Sequence, residues 1–212
     1  MGIEVRRFTW DYLDSNMYVL LAEGQALVID PIDSDEAFEY VRPFHEITVL
    51  LTHEHFDHIC GLNRLQAEHK CTVIAQEKCS ERIQNCKTNF SAMAETMLEL
   101  SGIERDKRVE PFVCGKADII FEEKHVLKWQ GADIEIFSTP GHSPGSVCIA
   151  IGKYLFTGDS FLEKGPMNRF PGGSKNEYYH KTIPIIKRQM KNVGVIFPGH
   201  GDKFAPNVIN WI

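Results

Sequence analysis

Four short apolar segments of the chain each end in histidine or aspartate, and this pattern restricts the possible folds more than any other feature of the sequence. The segments predict buried β-strands at 47–51, 133–137, 154–156 and 193–197. Side chains that directly follow strands can converge above one end of a sheet, where ligands commonly bind. The seven residues at these four places are His53, His55, Asp57, His58, His142, Asp159 and His200.

The heptapeptide THEHFDH contributes four of these seven side chains. His53 and His55 point to the same side if the strand geometry continues, because side chains alternate along a strand. Two imidazoles at this spacing can chelate one metal ion, while Asp57 and His58 follow where the chain turns into a helix and can face a second ion. Imidazole together with carboxylate suits zinc, iron or manganese. Asp159 can bridge two such ions, and metals about 3.5–4 Å apart can hold and ionise a water between them.

The length fits one large domain or two small ones, and we predict a single domain that spans residues 1–212. The chain is 43% hydrophobic and 25% charged, which is ordinary for a globular protein. A net charge of −6 argues against a nucleic-acid or membrane surface, and no apolar run approaches the ~20 residues of a membrane span. Six cysteines without a CxxC pair, and an N-terminal segment without the apolar stretch of a signal peptide, favour reduced thiols in the cytoplasm. The oligomeric state stays open.

The rest of the chain predicts two halves, each with strands followed by a helix. In the first half, two strands are joined at Glu23-Gly24, and a helix follows at 33–42. In the second half, a capping box at Ser174 opens a helix that Pro184 bends or interrupts near its start.

Residues 77–110 differ from both halves because they are polar and charged. They predict a helical insertion between the sheet-rich parts of the chain. Ser91 is expected to cap a helix of this insertion at its N-terminus and Gly102 at its C-terminus. Met93 and Met97 fall on that helix, and we interpret them as core contacts.

The motifs THEHFDH, GHSPGS, GDS and PGHG, in this order, closely resemble the metallo-β-lactamase superfamily. Within it the chain is most similar to the glyoxalase II (hydroxyacylglutathione hydrolase) group and related small hydrolases. The resemblance extends from Val19 to Gly201. It implies an α+β fold, a four-layer αββα sandwich with metals at one edge. It also implies two sets of three metal ligands and one bridging residue: His53, His55 and His142 for the first metal, Asp57, His58 and His200 for the second, and Asp159 between them.

The resemblance implies a metal-dependent hydrolase that acts on a small molecule and holds two divalent ions, zinc foremost and iron or manganese as alternatives. A hydroxide held between the ions would attack the carbonyl of a thioester or related ester, with Asp57 orienting it and accepting its proton. Arg169 resembles a basic residue with which glyoxalase II contacts a substrate carboxylate, whereas Pro171 and Asp202 stand where that group has tyrosine. Three alternatives stay open: a lactonase or β-lactam hydrolase, an iron-dependent persulfide dioxygenase, and a non-catalytic metal-binding protein of the same fold.

Overall fold

Two β-sheets stacked face to face form the centre of the molecule. The computed structural model describes residues 3–102, 108–165 and 172–206. The first sheet follows the order of the chain, and its strands are β1 (Glu4–Thr9), β2 (Asn16–Ala22), β3 (Gln25–Ile29), β4 (Glu46–Leu50), β5 (Lys70–Gln76) and β6 (Ile119–Phe121). The second sheet has the spatial order β11-β10-β9-β8-β7, and its strands are β7 (Lys124–Trp129), β8 (Ala132–Ser138), β9 (Val147–Ile151), β10 (Tyr154–Gly158) and β11 (Val195–Pro198).

The strand directions bring four strand ends to one edge of this sandwich. In the first sheet, β3, β4 and β5 run parallel. In the second sheet, β8 and β10 are both antiparallel to β9 and so share a direction, and β11 runs parallel to β10. The backbone amide of Val147 donates to the carbonyl of Thr52 at 2.8 Å and joins the two sheets at this edge. The ends of β8, β10 and β11 therefore meet the end of β4.

The central strands of each sheet are buried on both faces, because apolar residues fill successive positions along them. Leu20, Leu27 and Leu50 lie between the sheets, while their neighbours Val19 and Val28 lie against the helices on the outer face. Truncating one of these leucines to alanine would lower the free energy of unfolding by about 2–5 kcal/mol. The layers are helix, sheet, sheet and helix, which confirms the αββα fold that the resemblance implies.

Helices cover the two outer faces. Those on the first sheet are α1 (Asp35–Val41), α2 (Phe56–Ile59), α3 (Leu62–Glu68) and α4 (Glu77–Arg82). The second sheet is covered by α6 (Lys175–Glu177), a π-helical turn (Tyr178–Thr182) and α7 (Ile183–Gln189). Ser174 caps this segment as predicted, because its hydroxyl accepts the Glu177 amide at 3.2 Å. Pro184 follows the π-helical turn, where its missing N–H interrupts the regular ladder. Within the described ranges, no helix has both the length and the apolar composition that crossing a membrane requires.

The segment 77–110 is helical only in part among its described residues. It contains α4, a 3₁₀ turn (Ser91–Met93) and α5 (Ala94–Leu100), with turns between them. Ser91 does not cap a helix, so that prediction is wrong. Its hydroxyl instead donates to the Phe112 carbonyl at 2.8 Å and accepts the Phe112 amide at 3.0 Å, which fixes the extended chain after the insertion. Gly102 follows α5 with φ of +68°, as expected for a residue that ends a helix.

The two methionines of the insertion have different surroundings. Met97 is half-buried and packs against the outer core of the first sheet, in agreement with the prediction. Met93 is 47% exposed, so its interpretation as a core contact is wrong. The apolar contacts at this point are made instead by Ala94 and Leu98, which are both fully buried.

Candidate metal centre

The structure brings all seven predicted ligand residues together at the shared edge of the two sheets. Four of them follow β4, and the other three follow β8, β10 and β11. All are buried except His200, whose side chain is 20% exposed. Side chains that lie up to 147 positions apart in the chain, as His53 and His200 do, therefore form one cluster.

The first ligand group consists of His53, His55 and His142. One ring nitrogen from each can be chosen so that the three atoms lie within 4.8 Å of one another. The closest pair is His55 Nδ1 and His142 Nε2, at 2.9 Å. Burial and the neighbouring imidazoles lower the pKa of His53 and of His55 well below the usual value of 6.5. These two rings are therefore neutral at pH 7, and neutral imidazole is the form that binds a metal ion.

The second ligand group consists of Asp57, His58 and His200. His58 Nε2 lies 3.3 Å from His200 Nε2, and Asp57 Oδ2 lies 3.4 Å from the former and 3.5 Å from the latter. Burial alone would lower the pKa of His58, but Asp57 and Asp159 outweigh burial and raise it to about 10. This group also satisfies the distance limit for three ligands of one cation.

Asp159 lies between the two groups. Its Oδ1 is 3.5 Å from His58 Nε2, and its Oδ2 is 3.5 Å from His142 Nε2 and 3.3 Å from His200 Nε2. Burial would raise the pKa of this carboxyl, but the surrounding histidines, His200 first, hold it well below its usual range. An ionised carboxylate in contact with both groups can contribute one oxygen to each of two cations.

Glycine at position 199 leaves the space that this carboxylate occupies. A Cβ on Gly199 would lie 2.1 Å from Asp159 Oδ1 and 3.0 Å from His58 Cε1. Gly158 has φ of +47°, and a Cβ there would lie 2.4 Å from Thr52 Oγ1. The glycines beside the ligands are therefore required by close packing around the site.

Two polar residues that were not predicted from the sequence, Asp30 and Thr52, contact histidines of both ligand groups. Asp30 ends β3, and its Oδ1 accepts the Thr52 amide at 2.7 Å while its Oδ2 accepts the Thr52 hydroxyl. Asp30 Oδ2 also lies 3.2 Å from His58 Nδ1, and Thr52 Oγ1 lies 3.0 Å from His53 Nδ1. These contacts orient both imidazoles so that each Nε2 faces the site. Because β3 runs parallel to β4, Asp30 could have been found by extending the strand-end pattern to this neighbouring strand.

The donor set fits a metal centre. His53 Nε2 and Asp159 Oδ1 are buried and have no hydrogen-bond partner among the residues that the structure describes. Buried polar atoms are nearly always paired, and these two unpaired acceptors are suited to bind a cation. Five imidazoles and two carboxylates without a thiolate match the ligand chemistry of zinc, iron or manganese.

A cleft with a volume of about 530 Å³ opens above the ligands. Asp57 and His200 lie at its floor, and Leu13, Met97 and Leu162 form apolar walls. Its rim is charged, with Asp14, Glu163, Lys164 and Asp202. This volume suits a small molecule. Arg169, the predicted substrate contact, lies outside the described residues.

Comparison with known proteins agrees with this geometry. The probable metallo-hydrolase YqgX of Bacillus subtilis is 27% identical over 201 residues, which cover 92% of this chain and 89% of that protein. A hydroxyacylglutathione hydrolase of Shewanella loihica is 25% identical over 182 residues, 84% of this chain and 57% of that protein, so the chain spans little more than half the length of that relative. The crystal structure of the BLEG-1 B3 metallo-beta-lactamase superposes with a TM-score of 0.78 at 21% identity, covering 98% of this chain and 100% of that chain.

A family model covers both halves of the sandwich and all seven predicted ligand residues. The sequence profile of the metallo-beta-lactamase superfamily matches residues 10–200. The chain belongs to the metallo-β-lactamase superfamily.

Proposed function

We propose that the protein is a metal-dependent hydrolase that cleaves a thioester or a related ester in the cleft above the two ligand groups. The observation that carries the proposal is the position of Asp159, whose carboxylate lies within 3.5 Å of ring nitrogens from both groups. A shared carboxylate between two sets of three ligands is the arrangement that a two-metal site needs. Membership of a metallo-hydrolase family supports hydrolysis in general, and the thioester is our finer proposal.

The first ligand group would hold one divalent ion and the second ligand group another, with Asp159 bound to both. Zinc is our first choice because imidazole and carboxylate are its usual ligands in catalytic sites, and iron or manganese would suit the same donors. When bound, the two ions supply a water of lowered pKa and positive charge beside the substrate carbonyl.

The residues of the chain have three tasks around this chemistry. Asp57 lines the cleft, and its carboxylate can accept the proton of the attacking water. Leu13, Met97 and Leu162 exclude water from the acyl side of the substrate. Arg169 is proposed to contact a substrate carboxylate. The reaction joins the water oxygen to the carbonyl carbon, breaks the carbon–sulfur bond, and delivers one proton to the product acid and one to the thiol.

One comparison and one chemical argument further support a thioester as substrate. The similarity to a hydroxyacylglutathione hydrolase covers 84% of this chain. A thiolate is also a good leaving group, so the carbonyl of a thioester needs little activation beyond the two cations. The free thiols at all six cysteines suit a reducing compartment, and we infer that the enzyme acts in the cytoplasm.

The test combines elemental analysis of the purified protein with a panel of substrates. We expect about two divalent ions per chain and turnover of acyl thioesters, measured by release of thiol. Faster turnover of lactones or β-lactams than of any thioester would replace the substrate class while keeping the hydrolase. Oxygen consumption with a persulfide by the iron-loaded protein would refute hydrolysis. Full metal occupancy without turnover of any member of the panel would favour the non-catalytic alternative.

A further inference from the structure

Glu54, the glutamate between the two ligand histidines of THEHFDH, takes no part in the chemistry above, yet its carboxylate is completely buried. Its position follows from the alternation of side chains along an extended chain. The geometry that turns His53 and His55 into the site turns Glu54 away from it, into the protein interior. A buried carboxylate needs compensating partners, because an unpaired one would cost several kcal/mol.

The partners of Glu54 come from two other segments of the chain. Arg82 Nε donates to Oε1 at 2.6 Å, and Ser143 Oγ donates to Oε2 at 2.8 Å. Arg82 lies at the end of α4 and is itself held by the Thr88 carbonyl at 3.3 Å. Ser143 directly follows the ligand His142, and its amide donates to Ser146 Oγ at 3.1 Å. One carboxylate therefore connects the loop after β4, the helix α4 and the loop after β8.

The space around this carboxylate is closed by Gly145. A Cβ at that position would lie 2.6 Å from Glu54 Oε2 and 2.4 Å from the Cys79 amide nitrogen. The loop after β8 thus approaches the carboxylate as closely as a glycine allows. The Glu54 carboxylate therefore contacts the Arg82 guanidinium and the Ser143 hydroxyl, and the main chain at Gly145 packs closely against it.

We infer that Glu54, held by Arg82 and Ser143, is a positioning residue that fixes the three histidines of the first ligand group as a preformed site. His53 and His55 follow β4 of the first sheet, and His142 follows β8 of the second. The group therefore forms only if the loops after these two strands keep their relative position. The Glu54–Ser143 bond crosses between these loops at one residue from each ligand. The inference rests on the metal centre of the proposed function and is independent of the substrate.

The test compares cobalt(II) binding by the wild type and by Glu54→Gln and Arg82→Met. Cobalt(II) absorbs in the visible region, and its spectrum reports the ligand geometry. We expect both variants to bind the first cobalt about 10- to 100-fold more weakly, the range typical for residues that orient metal ligands, and to show an altered spectrum. Arg82→Lys keeps the charge and should recover part of the lost affinity.

A matched control separates positioning from general stability. Ile186 is fully buried in the outer core of the second sheet, in the cluster beneath α7. Ile186→Ala should lower the thermal midpoint without changing the affinity or the spectrum of bound cobalt. If Arg82→Met does not fold, Ser143→Ala removes only one hydroxyl and should still weaken cobalt binding several-fold.

The outcomes are distinct. Wild-type affinity and spectrum in Glu54→Gln, Arg82→Met and Ser143→Ala would overturn the inference and leave the proposed function intact. Loss of affinity in these variants that Ile186→Ala reproduces at equal destabilisation would overturn it as well. A wild-type protein that binds no cobalt would overturn the metal centre and this inference together.

Discussion

The two ligand groups share one edge of the sandwich but differ in charge. The first group consists of buried imidazoles, and burial keeps the pKa of His53 and of His55 well below 6.5. The second group holds carboxylate and imidazole together, and the pKa of His58 rises to about 10 because Asp57 and Asp159 outweigh the effect of burial. In the metal-free protein His53 and His55 therefore present lone pairs, whereas His58 carries a proton where a cation would bind.

The two ligand groups also differ in the solvent exposure of their side chains. His55 and His142 of the first group line the cleft, yet all three members of this group are at most 3% exposed. In the second group the His200 side chain is 20% exposed and forms part of the cleft. A carbonyl of Leu13, 2.9 Å from His200 Nδ1, fixes that ring from the far side. We expect the first group to bind its ion tightly at all pH values near neutrality, and the second to bind more weakly and with proton release.

The largest effect should come from Asp159→Ala, which removes the side chain that the two groups share. At least one metal ion per chain should be lost, and turnover should fall by several orders of magnitude, because both cations lose a ligand. Elemental analysis and thiol release measure the two effects. Asp133→Ala, which removes an exposed carboxylate paired with Lys128 on the second sheet, is the control. Unchanged metal content in the Asp159 variant would refute the shared role.

The next largest effect is on the number of metal ions bound per chain when one group loses a histidine. His200→Ala should lower the metal content from about two ions per chain to about one, because the first group stays intact. His53→Ala should leave neither site well formed, since its ring also contacts His58 in the second group at a centroid distance of 4.3 Å. Elemental analysis after gel filtration gives the comparison. Equal metal content in the two variants would contradict the difference between the groups.

A smaller effect is the pH dependence of the affinity for each metal ion. Because the pKa values of His58 and His200 are raised, protons compete with the second metal throughout the neutral range. The apparent affinity for this metal should rise as pH rises from about 6 to 8, by about tenfold per pH unit for each displaced proton. The lowered pKa values of His53 and His55 predict a much flatter dependence for the first metal. Competition titrations with a chromophoric chelator measure both slopes, and parallel slopes would refute the prediction.

Local patterns in the sequence predicted that these seven residues cluster at one edge of the sheets, because each lies in the segment that follows a strand. The apolar run before THEHFDH and the glycine-flanked His142 and His200 identify turns at strand ends, and parallel strands gather such turns at one edge. The αββα layers followed from the family resemblance and agree with the two halves of strands followed by a helix. These features depend on residues that are adjacent in the chain.

The residues that hold the ligands escaped notice because their partners are distant in sequence. Asp30 reads locally as the end of a strand before Pro31, and only the parallel pairing of β3 with β4 places it behind His58. Glu54 reads as a polar spacer, and its buried contact with Arg82 spans 28 positions. The misplaced cap at Ser91 has the same origin, because its bonds to Phe112 span 21 positions and override the local preference of serine.

The smallest predicted effect concerns Thr52, one of the residues that orient the predicted ligands. Thr52 Oγ1 contacts His53 Nδ1 and the Asp30 carboxylate, so Thr52→Val removes these contacts with little change in shape. The amide bond from Thr52 to Asp30 stays, and the loss should be that of about one hydrogen bond, roughly 0.5–1.5 kcal/mol or about 2- to 12-fold in affinity for the first metal.

Thr48→Val in β4, the strand before Thr52, is the matched control, and it should leave the affinity unchanged because Thr48 pairs with Leu27 and Thr72 within the sheet. The affinity for the second metal should change less in Thr52→Val, since Asp30 still contacts His58 through its own carboxylate. A loss confined to the first metal would show that the two groups are oriented by separable contacts of one carboxylate. Equal losses at both metals would instead show that Asp30 and Thr52 act as one rigid unit, and the distinction between the groups would then be one of charge alone.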